Sequence, residues 1–207
     1  SAGADLVAHV RDMAEAAHRI SMVASAQGED IAGEVRITAS EIMSVYVLPR
    51  VVERLAEIAP RLNVEIVASD EITDLQRREA DIAVRHVRPS EPELIARMVM
   101  EPSANLYAST RYLERMGRPT TLEEVSALNY VSFGDKGMMK GFLHEHGVTL
   151  RDDQFLYGST NGIVAWELVR KGLGMAIMSD FVADLTPEVE VALPAFTPIK
   201  FPITPTF

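Results

Sequence analysis

Apolar residues recur at alternating steps of four and three positions near the start of the chain. This spacing predicts one helix over about residues 4–27 with a narrow apolar seam, the pattern of a coiled coil. Charged residues flank the seam, which fits packing against a partner helix. Packing of an amphipathic helix on its own domain is the alternative. The seam residues are Leu6, Val10, Met13, Ala17, Ile20 and Ala24.

From Gly33 onward, segments with apolar residues at every second position alternate with segments of helical spacing. The first of these helices begins after Ser40 and ends before Pro60. Strand, helix, strand, helix, strand is the order of a parallel α/β sheet with right-handed crossovers. The predicted strands are 35–39, 64–68 and 80–85, and the second predicted helix covers about 71–78.

The same alternation returns after Pro102 without sequence identity between the two halves. Glycines at 134 and 172 end a predicted strand and a predicted helix. The chain is therefore predicted to form two similar α/β lobes. The predicted strands of the second half are 104–108, 130–133, 155–158 and 173–178, and its predicted helices are 110–116, 135 or 136 to about 146, and 163–170.

Composition and charge exclude several classes of protein. The 207 residues include no cysteine, which excludes disulfides, thiolate metal sites and a cysteine nucleophile. No apolar run approaches the ~20 residues that span a bilayer, and charged residues interrupt the first segment, unlike a signal peptide. The net charge of −10 repels phosphate backbones, so we expect this chain alone not to bind DNA. We expect a cytoplasmic protein that does not contact membranes.

A search for enzyme motifs finds only weak candidates. Residues 158–162 have the glycine spacing of a nucleophile elbow, but Thr160 stands where that motif requires serine. The glycine patterns of a P-loop or a dinucleotide fold are missing. His144 and His146 fall on different sides of a helix, so a solvated surface is a better interpretation than a metal site. We therefore expect no catalytic residue, no cofactor and no metal.

Candidate ligand-binding residues follow the predicted strands in both halves. Open α/β sheets bind ligands beyond the carboxyl ends of their strands. Ser40 and the pair Thr160 and Asn161 also lie at helix starts, where backbone N–H groups attract anions. Plain N-capping is the alternative role for these residues. Their placement predicts a binding cleft between the lobes, and the strand-end residues are Ser40, Ser69, His86, Phe133 and Thr160.

Several motifs, in this order and separation, resemble the linker helix and regulatory domain of the LysR family of bacterial transcriptional regulators. The resemblance covers essentially the whole chain. It implies a type-2 periplasmic-binding-protein-like fold, with two Rossmann-like α/β lobes joined by two crossing strands and an N-terminal linker helix before them. The motifs are Gly33-Glu34-Val35-Arg36-Ile37, Leu48-Pro49, Ala59-Pro60, Asp74-Leu75, the run from Arg78 to Arg85 with its Ala-Asp-Ile-Ala, and the run from Glu167 to Gly174 with its Val-x-x-Gly-Leu-Gly.

The resemblance also implies domain boundaries and a set of binding residues. Residues 1–32 correspond to the linker and dimerisation helix, 33–103 to regulatory lobe I, and 104–194 to regulatory lobe II. Lobe I is completed by 195–207 and by family elements expected beyond residue 207. The first-lobe binding residues are Ser40, Glu41, Ile42, Met43, Ser69, His86 and Arg88, and the second-lobe residues are Phe133, Gly134, Thr160 and Asn161.

The function implied by the resemblance is that of an effector sensor. A small metabolite in the cleft would modulate DNA binding by a winged helix-turn-helix domain expected before residue 1, within a homodimer or homotetramer. Helix N-termini, His86 and Arg88 favour an anionic effector. Glu41 and Asp135 would repel a carboxylate, and binding of an amine or hydroxyl on the same ligand is their alternative role. A solute-binding protein of a transport system has the same fold and is the alternative function.

Overall fold

A computed structural model describes residues 31–70, 80–85, 101–201 and 203–206. The predicted helices at 4–27 and 71–78, together with His86 and Arg88, lie outside the described residues. The chain divides into two compact units. The described residues of the first unit are 31–35 and 50–65, and those of the second are 36–49, 66–70, 80–85, 101–201 and 203–206. The lobe boundaries inferred from the sequence stay a prediction.

The helices and strands follow one another through both halves of the chain. The strands are β1 (Ala32–Ala39), β2 (Arg61–Ala68), β3 (Ile82–Arg85), β4 (Ser103–Ser109), β5 (Val131–Phe133), β6 (Tyr157–Ser159), β7 (Met175–Ser179), β8 (Val189–Val191), β9 (Ile199–Lys200) and β10 (Thr204–Thr206). The helices are α1 (Glu41–Tyr46), α2 (Leu48–Ile58), α3 (Thr110–Met116), α4 (Leu122–Ser126), α5 (Lys136–Glu145), α6 (Gly162–Arg170) and α7 (Asp180–Ala183), with a short 3₁₀ turn at Asp152–Gln154.

The first sheet has the strand order β10-β3-β1-β2. Strands β1 and β3 are parallel, with Ile37 opposite Ile82, and β10 is antiparallel to β3. The parallel orientation predicted for the strands of the first half is therefore confirmed for its first and third strands. Ile37, Thr38 and Ala39 are all buried, so the end of β1 is covered on both faces. Such double burial is usual for strands of parallel sheets.

The helix predicted between Ser40 and Pro60 is divided in two at Val47. Proline lacks the N–H group that would continue the α1 hydrogen-bond ladder, so Pro49 cannot donate to a carbonyl in α1. The fixed φ of proline suits the first turn of a new helix, where Pro49 stands in α2. Val47 closes α1 by donating its N–H to the Met43 carbonyl at 3.0 Å.

In the first unit, α2 ends one residue before the Ala59-Pro60 pair. The residue before a proline disfavours the helical conformation, which explains why the helix stops there. The Leu62 N–H donates to the Ala59 carbonyl at 3.0 Å and turns the chain into β2. Strand β2 consequently starts at Arg61, three residues earlier than predicted.

Strand β4 is the centre of the second sheet, with β7 on one side and β8 and β9 on the other. All three neighbours are antiparallel to β4, and Tyr107 lies opposite Ala176. Strands β5 and β6 form a parallel pair, which the Tyr130–Met175 bridge joins to β7. The predicted helix over 110–116 is confirmed as α3, whereas the strand predicted at 155–158 begins only at Tyr157.

Two apolar clusters hold the second unit together. One cluster surrounds Trp166 of α6 and includes Tyr107 and Val131. The other surrounds Tyr112, Tyr130 and neighbouring leucines. Within the part of the chain that the structure describes, no helix is long and apolar enough to cross a membrane.

Candidate functional site

The predicted first-lobe residues gather where β1 ends. Ser40 caps α1, and its Oγ accepts a hydrogen bond from the Met43 N–H at 3.4 Å. The Ser69 N–H donates to the Ala39 carbonyl at 2.9 Å, which places Ser69 beside Ser40. The carboxyl ends of β1 and β2 therefore meet at one edge, as expected for a ligand site of an open α/β sheet.

Three of the four residues from Ser40 to Met43 reach the surface in part. Met43 is 1% exposed and belongs to the core, so its side chain does not line the site in this conformation. Ile42 is half-buried and packs against the cluster around Trp166. The Ser40 hydroxyl and the Glu41 carboxylate are the polar groups that this segment presents.

The predicted second-lobe residues come together through the parallel pairing of β5 and β6. Phe133 lies opposite Ser159, and the Gly134 N–H donates to the Ser159 carbonyl at 3.1 Å. Gly134 has a φ of 65°, a left-handed conformation that glycine adopts without strain. Phe133 is partly exposed at the end of β5, and Thr160 follows its pairing partner Ser159 along the chain.

The start of α6 has its own capping arrangement. Asn161 is the N-cap, and its Oδ1 accepts from the Val164 N–H at 2.9 Å. The Asn161 N–H in turn donates to the Ser159 Oγ at 3.0 Å. Thr160 is exposed one residue before the cap. Of the two residues that the sequence placed at this helix start, Asn161 caps the helix and Thr160 keeps its hydroxyl in solvent.

A hydrogen bond joins the two groups of predicted residues. The Gly162 N–H, the first of α6, donates to the Glu41 Oε2 at 3.3 Å. A Cβ atom at Gly162 would stand only 3.2 Å from Ile42 Cγ1, so glycine permits this close approach of α1 and α6. Ser40 to Ile42 and Ser159 to Asn161 therefore lie around one point, although more than a hundred residues separate them in sequence.

Three residues of this neighbourhood were missed from the sequence. Asp70 accepts the Glu41 N–H on its Oδ1 at 3.2 Å. Ser159 accepts the Asn161 N–H, and Gly162 binds Glu41. The polar Ser69-Asp70 pair at the end of a strand was an available signal for Asp70. The predicted contributions of His86 and Arg88 lie outside the described residues.

The chemistry of the site is hydrogen bonding. Residues 158–162 do form a strand, a turn and a helix start, but Thr160 occupies the position of the nucleophile. The described part of the chain contains no group of three or more His, Asp or Glu residues able to hold a metal. His144 and His146 have separate partners, the Thr149 hydroxyl at 3.2 Å and the Phe142 carbonyl at 2.8 Å.

The pKa is raised for two tyrosines, Tyr46 in α1 and Tyr107 in β4. Burial raises the pKa of Tyr46, and the nearby Glu167 carboxylate adds to the effect. Burial also raises the pKa of Tyr107, whose hydroxyl donates to Asp180 Oδ1 at 2.9 Å. The raised pKa makes loss of the phenolic proton less favourable at both positions.

The sequence matches the family described as the LysR substrate binding domain over residues 28–204. The chain belongs to this family. The relatives named below are LysR-type transcriptional regulators, and the fold is the periplasmic-binding-protein-like fold of their regulatory domains, as the sequence resemblance predicted.

Among curated proteins, the chain is 25% identical over 154 residues to the HTH-type transcriptional regulator CrgA of Neisseria meningitidis serogroup C (strain 8013). The match covers 73% of this chain and 51% of CrgA, so the chain spans about half the length of that relative. The solved CrgA regulatory domain from Neisseria meningitidis has a TM-score of 0.75 at 20% identity, covering 86% of this chain and 89% of that one. Full-length AphB, a Vibrio cholerae virulence activator, has a TM-score of 0.69 at 20% identity, covering 100% and 72%.

Proposed function

We propose that this chain is the effector-sensing part of a LysR-type transcriptional regulator and binds a small metabolite at the site described above. The observation that carries the proposal is the convergence of Ser40, Glu41 and Ile42 with Ser159 to Gly162. Membership of the family supports it, and so does the name of the relative CrgA, a transcriptional regulator. These relatives favour a regulator over a solute-binding protein of a transport system.

The effector is proposed to be small and polar. Ser40, Ser69 and Thr160 offer hydrogen-bonding groups, and Phe133 offers a partly exposed ring. One N–H group at the start of α1 and two at the start of α6 already have acceptors, so an anionic effector has to compete with them. The acceptors are Ser40, Glu41 and Asn161. His86 and Arg88 stay predicted contributors of positive charge.

The proposed function is tested on the purified chain with a thermal-shift screen of small metabolites and mass spectrometry of co-purifying compounds. A ligand that binds the folded state and not the unfolded state raises the melting temperature. We expect at least one metabolite to do so in a concentration-dependent way, with Thr160→Ala reducing the shift. A shift that is equal in the parent and in Thr160→Ala contradicts binding at this site.

The activity of the whole regulator is proposed to need parts outside this chain. DNA recognition is assigned to a winged helix-turn-helix domain preceding residue 1, because a net charge of −10 disfavours contact with phosphates. Helix-turn-helix regulators bind repeated DNA half-sites as symmetric assemblies, so we propose that the regulator is a homodimer or homotetramer. The proposed location is the cytoplasm, and catalysis is not part of the proposed function.

Self-association is predicted to depend on the apolar seam of residues 4–27. Changing Leu6, Met13 and Ile20 together to Glu places three like charges against an apolar partner stripe, so we expect the population to shift toward monomer. Sedimentation velocity measures this shift. Three Glu substitutions off the seam, at Ala8, His18 and Ser25, match the added negative side chains and should leave the dimer population near that of the parent. A seam variant that keeps the dimer population of the parent means that the seam packs within one chain or is unused.

A further inference from the structure

The carboxylate of Glu41 occupies the N-terminus of α6. The first N–H groups of a helix have no partner inside it, and the positive end of the helix dipole attracts negative charge there. Gly162 provides the first such group of α6, and its hydrogen bond goes to Glu41 Oε2 at 3.3 Å. Val164 is already bound by Asn161. The chain's own carboxylate thus takes the place that an anionic ligand would take.

Glu41 is held in that place by contacts on both sides. Its backbone N–H donates to Asp70 Oδ1 at 3.2 Å. The next residue, Ile42, lies against Gly162 and the cluster around Trp166. Tyr46, one turn further along α1, packs against the same cluster. The position of the Glu41 carboxylate therefore follows from the docking of α1 on α6.

We propose that Glu41 determines the charge specificity of the effector site. An anionic effector binds at the start of α6 only by displacing the Glu41 carboxylate, because one N–H cannot serve two carboxylates and like charges repel at contact. An effector without negative charge at that point binds beside Glu41 and leaves the bond intact. This inference rests on the proposed function, since it concerns the same site.

Inorganic phosphate is the probe for this proposal, titrated into the ¹⁵N-labelled chain while amide chemical shifts are recorded. Glu41→Gln keeps the size of the side chain and removes its charge, which leaves a weaker acceptor for Gly162. We expect phosphate to shift the Gly162 and Ile163 amides with an affinity about tenfold higher in Glu41→Gln than in the parent. Glu41→Ala, which removes the acceptor altogether, should raise the affinity at least as much.

Glu145→Gln is the matched control because it makes the same change in net charge. Glu145 is exposed at the end of α5, and its variant should bind phosphate like the parent. The proposal is overturned if the phosphate affinity measured at the Gly162 amide is the same in the parent and in both Glu41 variants. It is also overturned if none of the three proteins shows a saturable shift. If metabolite binding still maps to residues 40–42 and 159–163, the proposed function stands without this role for Glu41. Metabolite binding elsewhere removes the proposed function itself.

Discussion

Replacing Trp166 with alanine is expected to lower the free energy of unfolding by about 3–5 kcal/mol, the usual cost of truncating a buried large aromatic side chain. Trp166 is among the largest fully buried side chains of the described residues. Its ring meets Tyr107 edge-on at a centroid distance of 6.3 Å. Its Nε1–H donates to the Thr186 Oγ1 at 3.2 Å. The substitution removes both contacts and leaves a cavity beneath α6.

Two further variants separate the cavity from other effects of mutating α6. Trp166→Phe keeps a ring and loses the N–H donor, so we expect a smaller loss of about 1–2 kcal/mol. Val164→Ala changes a half-exposed residue of the same helix and should stay within about 0.5 kcal/mol of the parent. Urea unfolding followed by circular dichroism gives the three values. A loss below about 1.5 kcal/mol for Trp166→Ala contradicts its role as the centre of this cluster.

Removing the Thr160 hydroxyl is expected to weaken effector binding about two- to tenfold. A hydrogen bond to an uncharged polar ligand contributes about 0.5–1.5 kcal/mol, which corresponds to that range of affinity. Thr160 is exposed, and its hydroxyl has no hydrogen-bond partner among the described residues. The melting temperature of the free chain should therefore stay that of the parent in Thr160→Ala. Calorimetry with the strongest stabilising metabolite from the thermal-shift screen measures the affinity.

Ser40 needs a different design because it already caps α1. Ser40→Ala loses the bond from the Met43 N–H, and such a loss costs about 1 kcal/mol of stability. Replacing an N-cap serine with glycine costs only a few tenths of a kcal/mol of stability. A binding role for the Ser40 hydroxyl predicts equal losses of affinity in Ser40→Gly and Ser40→Ala. A loss of affinity that follows the loss of stability, large in alanine and small in glycine, supports a capping role alone.

Local sequence patterns predicted the elements that are stabilised by contacts between residues close in sequence. Periodicity and turn chemistry predict the helix over 110–116. They also predict the strand-end positions of Ser40, Ser69 and Thr160. Helix α4 was missed although its signal was present, since Thr121 and Glu124 have the spacing of a capping motif. The two- and three-residue strands β8, β9 and β10 are too short to have a period.

The contact at the centre of the site has no local signal. Glu41 and Gly162 are 121 residues apart. The sequence around either residue does not predict a contact with the other. Their meeting depends on how α1 docks through Ile42 on the cluster around Trp166, which is a property of packing and not of periodicity. The sequence therefore placed Glu41 among the candidate binding residues, but it did not predict the hydrogen bond between Glu41 and Gly162.

Amide chemical-shift mapping of the strongest stabilising metabolite tests the central claim most directly. We expect the largest shifts at saturation to fall on residues 40–42, 69–70, 133–134 and 159–163, and the amides of the exposed α5 residues Gly141, Phe142 and Glu145 to stay unchanged. Thr160→Ala should reduce these shifts at the same ligand concentration. Shifts that cluster elsewhere contradict effector binding at this site, and so does a screen in which no metabolite stabilises the chain.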